Sequence, residues 1–342
     1  MSFKVSVIIP CFNAENTIER AIHSVMNQTI GFNNIELLLY DDASTDNTPN
    51  IIKDYSKKYD NIISICSEKN SGRPSKGRNV CIERASSEFL MFMDNDDEYD
   101  AEICQKLYDE MFLSNSELVT CSFINIEEFK DNKVISGYVP EKAIAEENKL
   151  IFLRPNIFYF KNIYVWNTIF RKNIIVNNEI YFPEDEFAED VFFSQSYKLF
   201  VSKAVYLKNY FGVYRHVQYD SLSNSFNFND LKDIHETHVK LYMKLKNYNL
   251  PFDYIFEGHI VMTLVRLYKS DALNYPVNDV IDFLEKIRDF EIELNISIPF
   301  WSVIGNVNYF LMKERYYFVI FMFKLLNLAF NSKILRRIYS IF

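Results

Sequence analysis

Short apolar runs alternate with segments of helical periodicity over the first hundred residues. Four runs have the length and composition of buried strands: residues 5–9, 35–40, 62–66 and 89–93. Three segments between them carry apolar residues at helical spacing: residues 14–28, 48–58 and 75–85. Because a helix follows each of the first three strands, this order predicts an α/β fold with a mostly parallel sheet flanked by helices.

The periodicity changes along the rest of the chain. A helical pattern over 101–113 and an apolar run over 117–126 continue the α/β pattern, and aromatic residues are frequent over 158–170. Long helical periods then replace the strands. We therefore predict an α/β domain over 1–224 and a helical C-terminal domain over 225–342, which would contact an acceptor, a second copy or a membrane.

Composition and charge narrow the class of protein. The chain has 342 residues, 49% hydrophobic and 24% charged, as is typical of a globular protein. Its net charge of -9 provides no basic face for phosphate backbones, so we expect no nucleic-acid partner. Five cysteines without a Cys-x-x-Cys pair indicate reduced thiols of a cytoplasmic protein, and we expect all five to lie in the core or near it.

Neither end of the chain predicts export or a spanning helix. The N-terminal apolar run is too short for a signal peptide. The apolar stretch over 316–330 is interrupted by Lys324 and Asn327, so it is expected to be buried or to lie on a membrane rather than to cross one. The last ten residues, 333–342, form a basic amphipathic pattern. This end would either lie on the inner face of the cell membrane or pack as a bundle or oligomer contact.

Polar clusters follow three of the predicted strands, at residues 10–13, 41–46 and 94–97. The carboxyl ends of parallel strands line the ligand crevice of such sheets, so the three clusters are expected to converge. Like charges raise one another's pKa, and Asp94, Asp96 and Asp97 therefore predict a neutralising cation. The alternative is an acidic turn that is exposed to water.

Glycine-rich phosphate loops are absent from the sequence, which has only seven glycines and neither Gly-x-Gly-x-x-Gly nor a P-loop. Diphosphate binding would then depend on a divalent ion. Asp94 and Asp96 supply hard oxygen ligands, which predict Mg²⁺ or Mn²⁺ with a nucleoside diphosphate completing the coordination.

Four motifs in this order resemble the signature of family 2 glycosyltransferases with the GT-A fold: VSVIIPCFNAE at 5–15, DDASTD at 41–46, NSGRPSKGRN at 70–79 and MDNDD at 93–97. The resemblance is to bacterial teichoic-acid and capsule glycosyltransferases. One departure is Cys81, which stands where the family usually has glycine and suggests slightly different helix packing.

The resemblance implies a nucleotide-binding set. Pro10 and Phe12 would line the nucleobase pocket, Asp42 would accept a hydrogen bond from the base imide, and Arg78 would contact the base or the diphosphate. Asp42 could instead cap a turn, and Arg78 could be a surface ion pair. The full implied set is Pro10, Phe12, Asn13, Glu15, Asp42, Asn70, Arg78, Asp94, Asn95, Arg215 and Ser221.

A second acidic cluster, within residues 182–193, contains Glu189 and Asp190 just before a helical pattern. Taken alone it would complement the dipole of a helix N-terminus. In the family, an acidic pair after a tryptophan segment like 165–170 supplies the catalytic base. Asp190 would then take a proton from the acceptor hydroxyl, and Glu189 would position the acceptor or the base.

Residues 214–223 resemble the loop that closes over the diphosphate in these enzymes. Arg215 would bind phosphate, and His216 would be a metal or phosphate ligand or a surface residue. His235 and His238 are spaced three apart without a third ligand nearby, so we expect exposed helix positions.

Together these features predict an inverting, metal-dependent glycosyltransferase of cell-surface glycan synthesis. The donor would be a nucleotide sugar, expected to be UDP-linked, and the acceptor a polysaccharide, a polyol phosphate or a lipid-linked glycan. Two alternatives are a nucleotidyltransferase, which would want a glycine-rich first loop, and a non-catalytic glycan-binding protein, which would tolerate loss of Asp190. A homo-oligomer is also compatible with the pattern.

Overall fold

The computed structural model describes the following residues: 3–127, 130–134, 144–146, 148–154, 156–159, 164–216, 227–248, 253–267, 270–295, 311–312, 314–320 and 322–323. They belong to two compact units, Met1–Gln218 and Tyr219–Phe342. The predicted boundary at residue 224 and the predicted site residue Ser221 lie outside the described residues, as does the basic C-terminal segment 333–342.

The described part of the first unit contains one sheet of eleven strands. Its strands are β1 (Val5–Cys11), β2 (Ile35–Asp41), β3 (Ile62–Cys66), β4 (Phe89–Phe92), β5 (Glu98–Tyr99), β6 (Leu118–Glu127), β7 (Lys130–Val134), β8 (Ile144–Ala145), β9 (Leu150–Leu153), β10 (Thr168–Arg171) and β11 (Lys203–His216).

The strand order along the sheet is β3-β2-β1-β4-β10-β6-β11-β9-β8. The first four strands are all parallel. β10 then runs antiparallel to both β4 and β6, and β6 is parallel to β11. The parallel half is the one that the alternating apolar runs predict, and its carboxyl edge carries the three polar clusters.

Helices flank this sheet: α1 (Ile18–Met26), α2 (Thr48–Lys58), α3 (Pro74–Arg84), α4 (Ile103–Leu113), α5 (Lys172–Asn177) and α6 (Glu189–Lys198). α1 begins four residues later than the periodicity predicts. The backbone N–H of Ala14 donates to Oγ1 of Thr48 at 2.8 Å, and the carbonyl of Ala14 accepts from Thr17 and Ile18. These contacts hold residues 14–17 in a turn that precedes the helix.

Alternate residues of the central strands enter two apolar clusters. Val7 and Ile9 belong to one cluster and Ile8 to the other, as expected for a strand that is covered on both faces. Cys11, Cys81, Cys104 and Cys121 are buried, as predicted. The prediction for Cys66 is wrong, since this thiol is exposed at the end of the outer strand β3.

Gly77 allows α3 to approach β2 closely. A Cβ at this position would lie 2.6 Å from Cδ1 of Tyr40, whose side chain is buried. We expect Gly77→Ala to lower the free energy of unfolding by about 1–3 kcal/mol, because the ring has no room to move. Chemical denaturation measures this change.

The control for this prediction is Gly258→Ala. Gly258 is exposed in a helix of the second unit, and apart from its chain neighbours and the backbone of its own helix an added Cβ would meet no described atom within 4 Å. Alanine favours helix, so this variant should gain up to ~1 kcal/mol. Equal effects of the two substitutions would contradict the close approach.

The second unit is helical where it is described, with α7 (Phe228–Leu245), α8 (Asp253–Leu267) and α9 (Val277–Leu294). Asn227 and Asp230 form a capping box at the start of α7. The prediction that His235 and His238 are exposed is wrong. Both are buried, because α7 packs this face against α8, where the ring of His259 stacks on His238 with centroids 3.7 Å apart. Across the described residues, every helix is too short or too polar to span a bilayer.

Candidate active site

The loops after β1 and β2 are tied to each other at the carboxyl edge of the sheet. Asn13 has a left-handed backbone (φ 47°), and its Oδ1 accepts a hydrogen bond from N of Thr45 at 2.9 Å. Glu15 Oε2 likewise accepts from N of Asn47 at 2.9 Å. The side chains of Asn13 and Glu15, both predicted to bind nucleotide, therefore hold the loop that follows β2.

Asp42 lies buried at the end of β2. Its Oδ2 accepts two hydrogen bonds from Ser71, from N and from Oγ, each 2.8 Å long, and Asn70 donates to its backbone oxygen at 3.0 Å. Its Oδ1 is buried and accepts no hydrogen bond from any described residue. Because a buried carboxylate oxygen without a donor is costly, this atom is available to a ligand N–H.

Pro10 and Phe12 lie beside this loop at the end of β1. Pro10 is buried, and its carbonyl accepts from Nδ2 of Asn95 at 3.0 Å. Phe12 is 47% exposed, which is unusual for phenylalanine, and its ring is open to a planar partner. Asn95 thus fixes the acidic loop against the first strand.

Arg78 on α3 connects the acidic loop to α6. Nη2 lies 2.9 Å from Oδ1 of Asp94, and Nη1 lies 3.0 Å from Oε1 of Glu189. The arginine side chain is only 5% exposed, so this is a buried double ion pair and not the surface ion pair that the sequence left open. A single guanidinium therefore brings together two of the acidic clusters.

The acidic loop carries incompletely compensated charge. Burial raises the pKa of the Asp96 carboxyl, and the charge of Asp94 raises it further. The pKa of Asp97 is raised for the same reasons, with Asp96 adding to it. Arg215 opposes both shifts. A bound divalent cation would relieve this repulsion, and the carboxylate oxygens are of the kind that Mg²⁺ and Mn²⁺ prefer.

The structure does not bring His216 into a metal site with Asp94 and Asp96. Its Nε2 lies 2.7 Å from Oε1 of Glu98, and its backbone N–H donates to Oδ1 of Asp97 at 3.0 Å. Within the described ranges, no three side chains of the metal-ligating types form a set that could hold an ion. The fit to a metal therefore rests on the two carboxylates Asp94 and Asp96, with ligand oxygens supplying the rest.

Asp190 lies in the first turn of α6, which follows Ala188 in a left-handed conformation (φ 62°). Burial raises the pKa of Asp190 to about 7, Glu189 adds to the shift and Arg78 opposes it. A carboxylate with this pKa is suited to accept a proton near neutral pH.

An aromatic cluster lies next to this carboxylate. The ring of Tyr164 stacks on Trp166 with centroids 4.8 Å apart, and Phe123 contacts both rings edge-on. Burial raises the pKa of Tyr164, and the charge of Asp190 adds to the shift. Sequence reasoning did not assign Ser71 or Tyr164 a role in the site, although Ser71 lies within the motif over 70–79 and Tyr164 within the aromatic-rich segment.

Residues 6–170 match the family model described as Glycosyl transferase family 2. This segment is a glycosyltransferase family 2 domain. The family 2 domain contains the strands β1 to β4 and the acidic loop, and the predicted family is confirmed. Family 2 enzymes commonly use divalent metal ions.

Several curated proteins are similar to a part of the chain. The Bacillus subtilis minor teichoic acid biosynthesis protein GgaA is 32% identical over 194 residues, which are 56% of this chain and 42% of GgaA. The Staphylococcus aureus poly(ribitol-phosphate) beta-N-acetylglucosaminyltransferase TarS is 30% identical over 56% of this chain and 32% of its own length. A Borreliella burgdorferi cholesterol galactosyltransferase is 32% identical over 61% of this chain and 59% of its own length. The chain thus spans less than two thirds of each relative.

Solved structures show the same fold. The crystal structure of S. aureus TarS 1-349 in complex with UDP-GlcNAc superposes with a TM-score of 0.68 over 96% of this chain and 91% of that one, at 21% sequence identity. A complex of the same protein with UDP gives a TM-score of 0.66. The prediction of a GT-A-type sheet flanked by helices, with helices in the C-terminal region, is confirmed.

Proposed function

We propose that the chain transfers a sugar from a UDP-sugar to a hydroxyl group of a polyol-phosphate polymer, with inversion at the anomeric carbon. Three facts support this proposal: the family 2 domain, the teichoic-acid and poly(ribitol-phosphate) names of two relatives, and the UDP and UDP-GlcNAc complexes of the structural neighbour. The cytoplasmic location, the membrane contact and the homo-oligomer stay predictions.

The observation that carries the proposal is the double ion pair of Arg78. The guanidinium of Arg78 contacts both Asp94, which is expected at the diphosphate site, and Glu189, which precedes the expected base in the sequence. The two expected parts of the site are therefore close to each other. A transferase needs its leaving-group site and its base on opposite sides of one reacting carbon, which requires such proximity. A nucleotide-binding protein without transfer activity would not need the acidic pair of α6 at this place.

The donor would be held at the nucleobase by Phe12 and Asp42 and at the diphosphate by Arg215. The open ring of Phe12 can stack on a base, and the unpaired Oδ1 of Asp42 can accept the imide N–H of uracil. The charge of Arg215 lowers the pKa of Asp96 and of Asp97, so its side chain is close to the acidic loop, where a diphosphate would bind. A divalent ion bound by Asp94 and Asp96 would supply charge neutralisation of the leaving UDP.

Asp190 would take the proton of the acceptor hydroxyl as its oxygen bonds to the anomeric carbon. The bond from that carbon to the diphosphate oxygen breaks in the same step, and the electron pair leaves with UDP. Glu189, fixed by Arg78, keeps the first turn of α6 in place and raises the pKa of its neighbour. Tyr164 and Trp166 would then border the acceptor side of the site.

A donor screen tests the proposal. The chain is incubated with Mn²⁺, a ribitol-phosphate polymer and a panel of nucleotide sugars, and released nucleotide is measured. We expect UDP release with at least one UDP-sugar and loss of release in Asp96→Asn, which removes a charge from the acidic loop. The absence of nucleotide release with every donor would overturn the proposal.

Asp42→Asn should weaken UDP binding by ~10–100-fold. Ser71 occupies one carboxylate oxygen with two donors, so an asparagine would keep its carbonyl there and turn its NH₂ group towards the base. The NH₂ group of the asparagine and the imide N–H of uracil, both donors, would then face each other. Titration calorimetry with UDP and CDP measures the effect, because cytosine lacks the imide N–H and should lose less. Asp54→Asn on the exposed face of α2 is the control, and equal losses for UDP and CDP would contradict the assignment.

A further inference from the structure

The acidic loop is attached to β11 by a short antiparallel pairing. β5, which directly follows the loop, pairs with β11 so that Glu98 lies opposite Tyr214 and Tyr99 opposite Val213. The end of β11 therefore runs beside Asp96 and Asp97. The backbone N–H of His216 donates to Oδ1 of Asp97, a nearly fully buried carboxylate, at 3.0 Å.

Glu98 is the centre of a contact network that the proposed chemistry does not use. Its Oε1 lies 2.7 Å from Nε2 of His216 and 3.3 Å from Nε of Arg20. Because Tyr214 pairs with Glu98 and His216 bonds to it, the intervening Arg215 is held at the acidic loop from both sides. Glu98 thus fixes the end of the strand that carries a predicted phosphate ligand.

Arg20 attaches the same network to α1. Its Nη2 donates to the backbone carbonyl of Asp96 at 2.5 Å, while its Nε faces Glu98. Arg20 and Asp96 are 76 positions apart, so the contact is tertiary and not part of any helix or strand pattern. The side chains of Arg20 and Glu98 are 37% and 32% exposed, and such a pair adds little to global stability. Because Arg20 contacts both Glu98 and the backbone of Asp96, the pair is placed to fix the acidic loop locally.

We propose that Arg20 and Glu98 are positioning residues for the metal and diphosphate site, fixing the backbone at Asp96 and the end of β11 at Arg215. The inference rests on the proposed function. Partners that orient a ligating carboxylate without touching the ion commonly change metal affinity by ~10–100-fold when they are removed. Arg20 and Glu98 act as one unit, because Nε of Arg20 lies 3.3 Å from Oε1 of Glu98 while Nη2 of the same guanidinium donates to the backbone carbonyl of Asp96.

The test measures binding and not turnover. The affinity for Mn²⁺ alone is measured by electron paramagnetic resonance, and the affinity for UDP with Mn²⁺ by calorimetry. We expect Arg20→Ala and Glu98→Ala each to raise the Kd for Mn²⁺ by about tenfold, and the double variant to raise it no further than either single one. Arg20→Lys, which keeps a donor for the Asp96 carbonyl but loses the fork that also reaches Glu98, should fall between wild type and Arg20→Ala.

The control is Lys106→Ala, which removes the exposed ion pair with Glu102 on α4 and should leave both affinities unchanged. Thermal denaturation of each variant separates positioning from unfolding, since a merely structural role would lower the midpoint without changing the Kd of the folded fraction. Unchanged Mn²⁺ affinity in both alanine variants, or additive losses in the double variant, would overturn the inference. Wild-type protein that binds UDP without Mn²⁺ dependence would overturn it as well, whereas wild-type protein that binds no UDP would overturn the proposed function.

Discussion

Asp190→Asn is expected to reduce sugar transfer by about a thousandfold while UDP binding stays close to the wild-type value, because a positioned general base contributes roughly 10²–10⁴ in rate. The carboxylate lies in the first turn of α6, next to Glu189. Asparagine keeps the shape and a hydrogen-bond acceptor for N of Val191, which now donates to Oδ1 of Asp190 at 2.8 Å. The substitution therefore keeps this contact and removes the negative charge together with the ability to accept a proton.

The pH profile makes this prediction specific. Burial and the charge of Glu189 raise the pKa of Asp190 to about 7, so the carboxyl is protonated and inactive below that pH and ionised above it. We expect kcat/KM of the wild-type chain to rise with pH and to level off above about 7, falling roughly tenfold per unit on the acid side. Residual transfer by Asp190→Asn should lack this acid limb.

Asp185→Asn provides the matched control, since Asp185 is an exposed carboxylate of the loop that precedes α6. It should leave both the rate and the pH profile unchanged. Full transfer by Asp190→Asn to an identified acceptor would show that another group accepts the proton.

Arg78→Met should have the second large effect, on stability and on donor binding together. Methionine replaces the apolar stem of the arginine side chain but leaves Asp94 and Glu189 without their shared cation in a largely buried place. Removing one partner of a buried ion pair costs about 3–5 kcal/mol, and the partial exposure of Asp94 places this case at the lower end. Denaturant titration measures the loss of stability, and calorimetry measures the loss of UDP affinity.

A double variant separates the lost contacts from the uncompensated charge. Arg78→Met with Glu189→Gln should recover part of the stability, because one of the stranded charges is removed, but it should not recover transfer. Arg84→Met, on the exposed end of the same helix, should change stability by no more than ~0.5 kcal/mol. If Arg78→Met were no less stable than Arg84→Met, the double ion pair would not contribute to the free energy of unfolding.

Local patterns were sufficient for the elements of the parallel half of the sheet. The apolar runs at 35–40 and 62–66 correspond to β2 and β3, and the helical period over 48–58 corresponds to α2. These elements are predictable because side-chain direction repeats every two residues in a strand and every 3.6 in a helix. The start of α1 was not predictable, since a contact with Thr48 on another helix determines it.

Some roles depended on partners that are distant in sequence. Periodicity did not indicate that the face of α7 bearing His235 and His238 would be covered, because the helix that covers it, α8, is a separate segment of the sequence. Asn13 and Glu15 were assigned to the nucleotide from their motif, whereas their described side-chain contacts are with residues 45–47. Each of these outcomes is a contact between segments, about which a single segment carries no information.

For the acidic strand end at Asp94 to Asp97, the sequence by itself determined the composition of the site: carboxylates at the carboxyl end of a buried strand, in the order of the family 2 motifs. That much follows from local patterning, because the order of apolar and charged residues along the chain indicates both the strand and the carboxylates at its end. Only the tertiary structure decided which partner each carboxylate contacts. Asp94 forms an ion pair with Arg78, Glu98 forms one with Arg20, and Asp97 accepts a hydrogen bond from the backbone N–H of His216. In each pair the two residues are more than a dozen positions apart in the sequence. Electrostatic pairing depends on distance in space, and folding alone sets that distance.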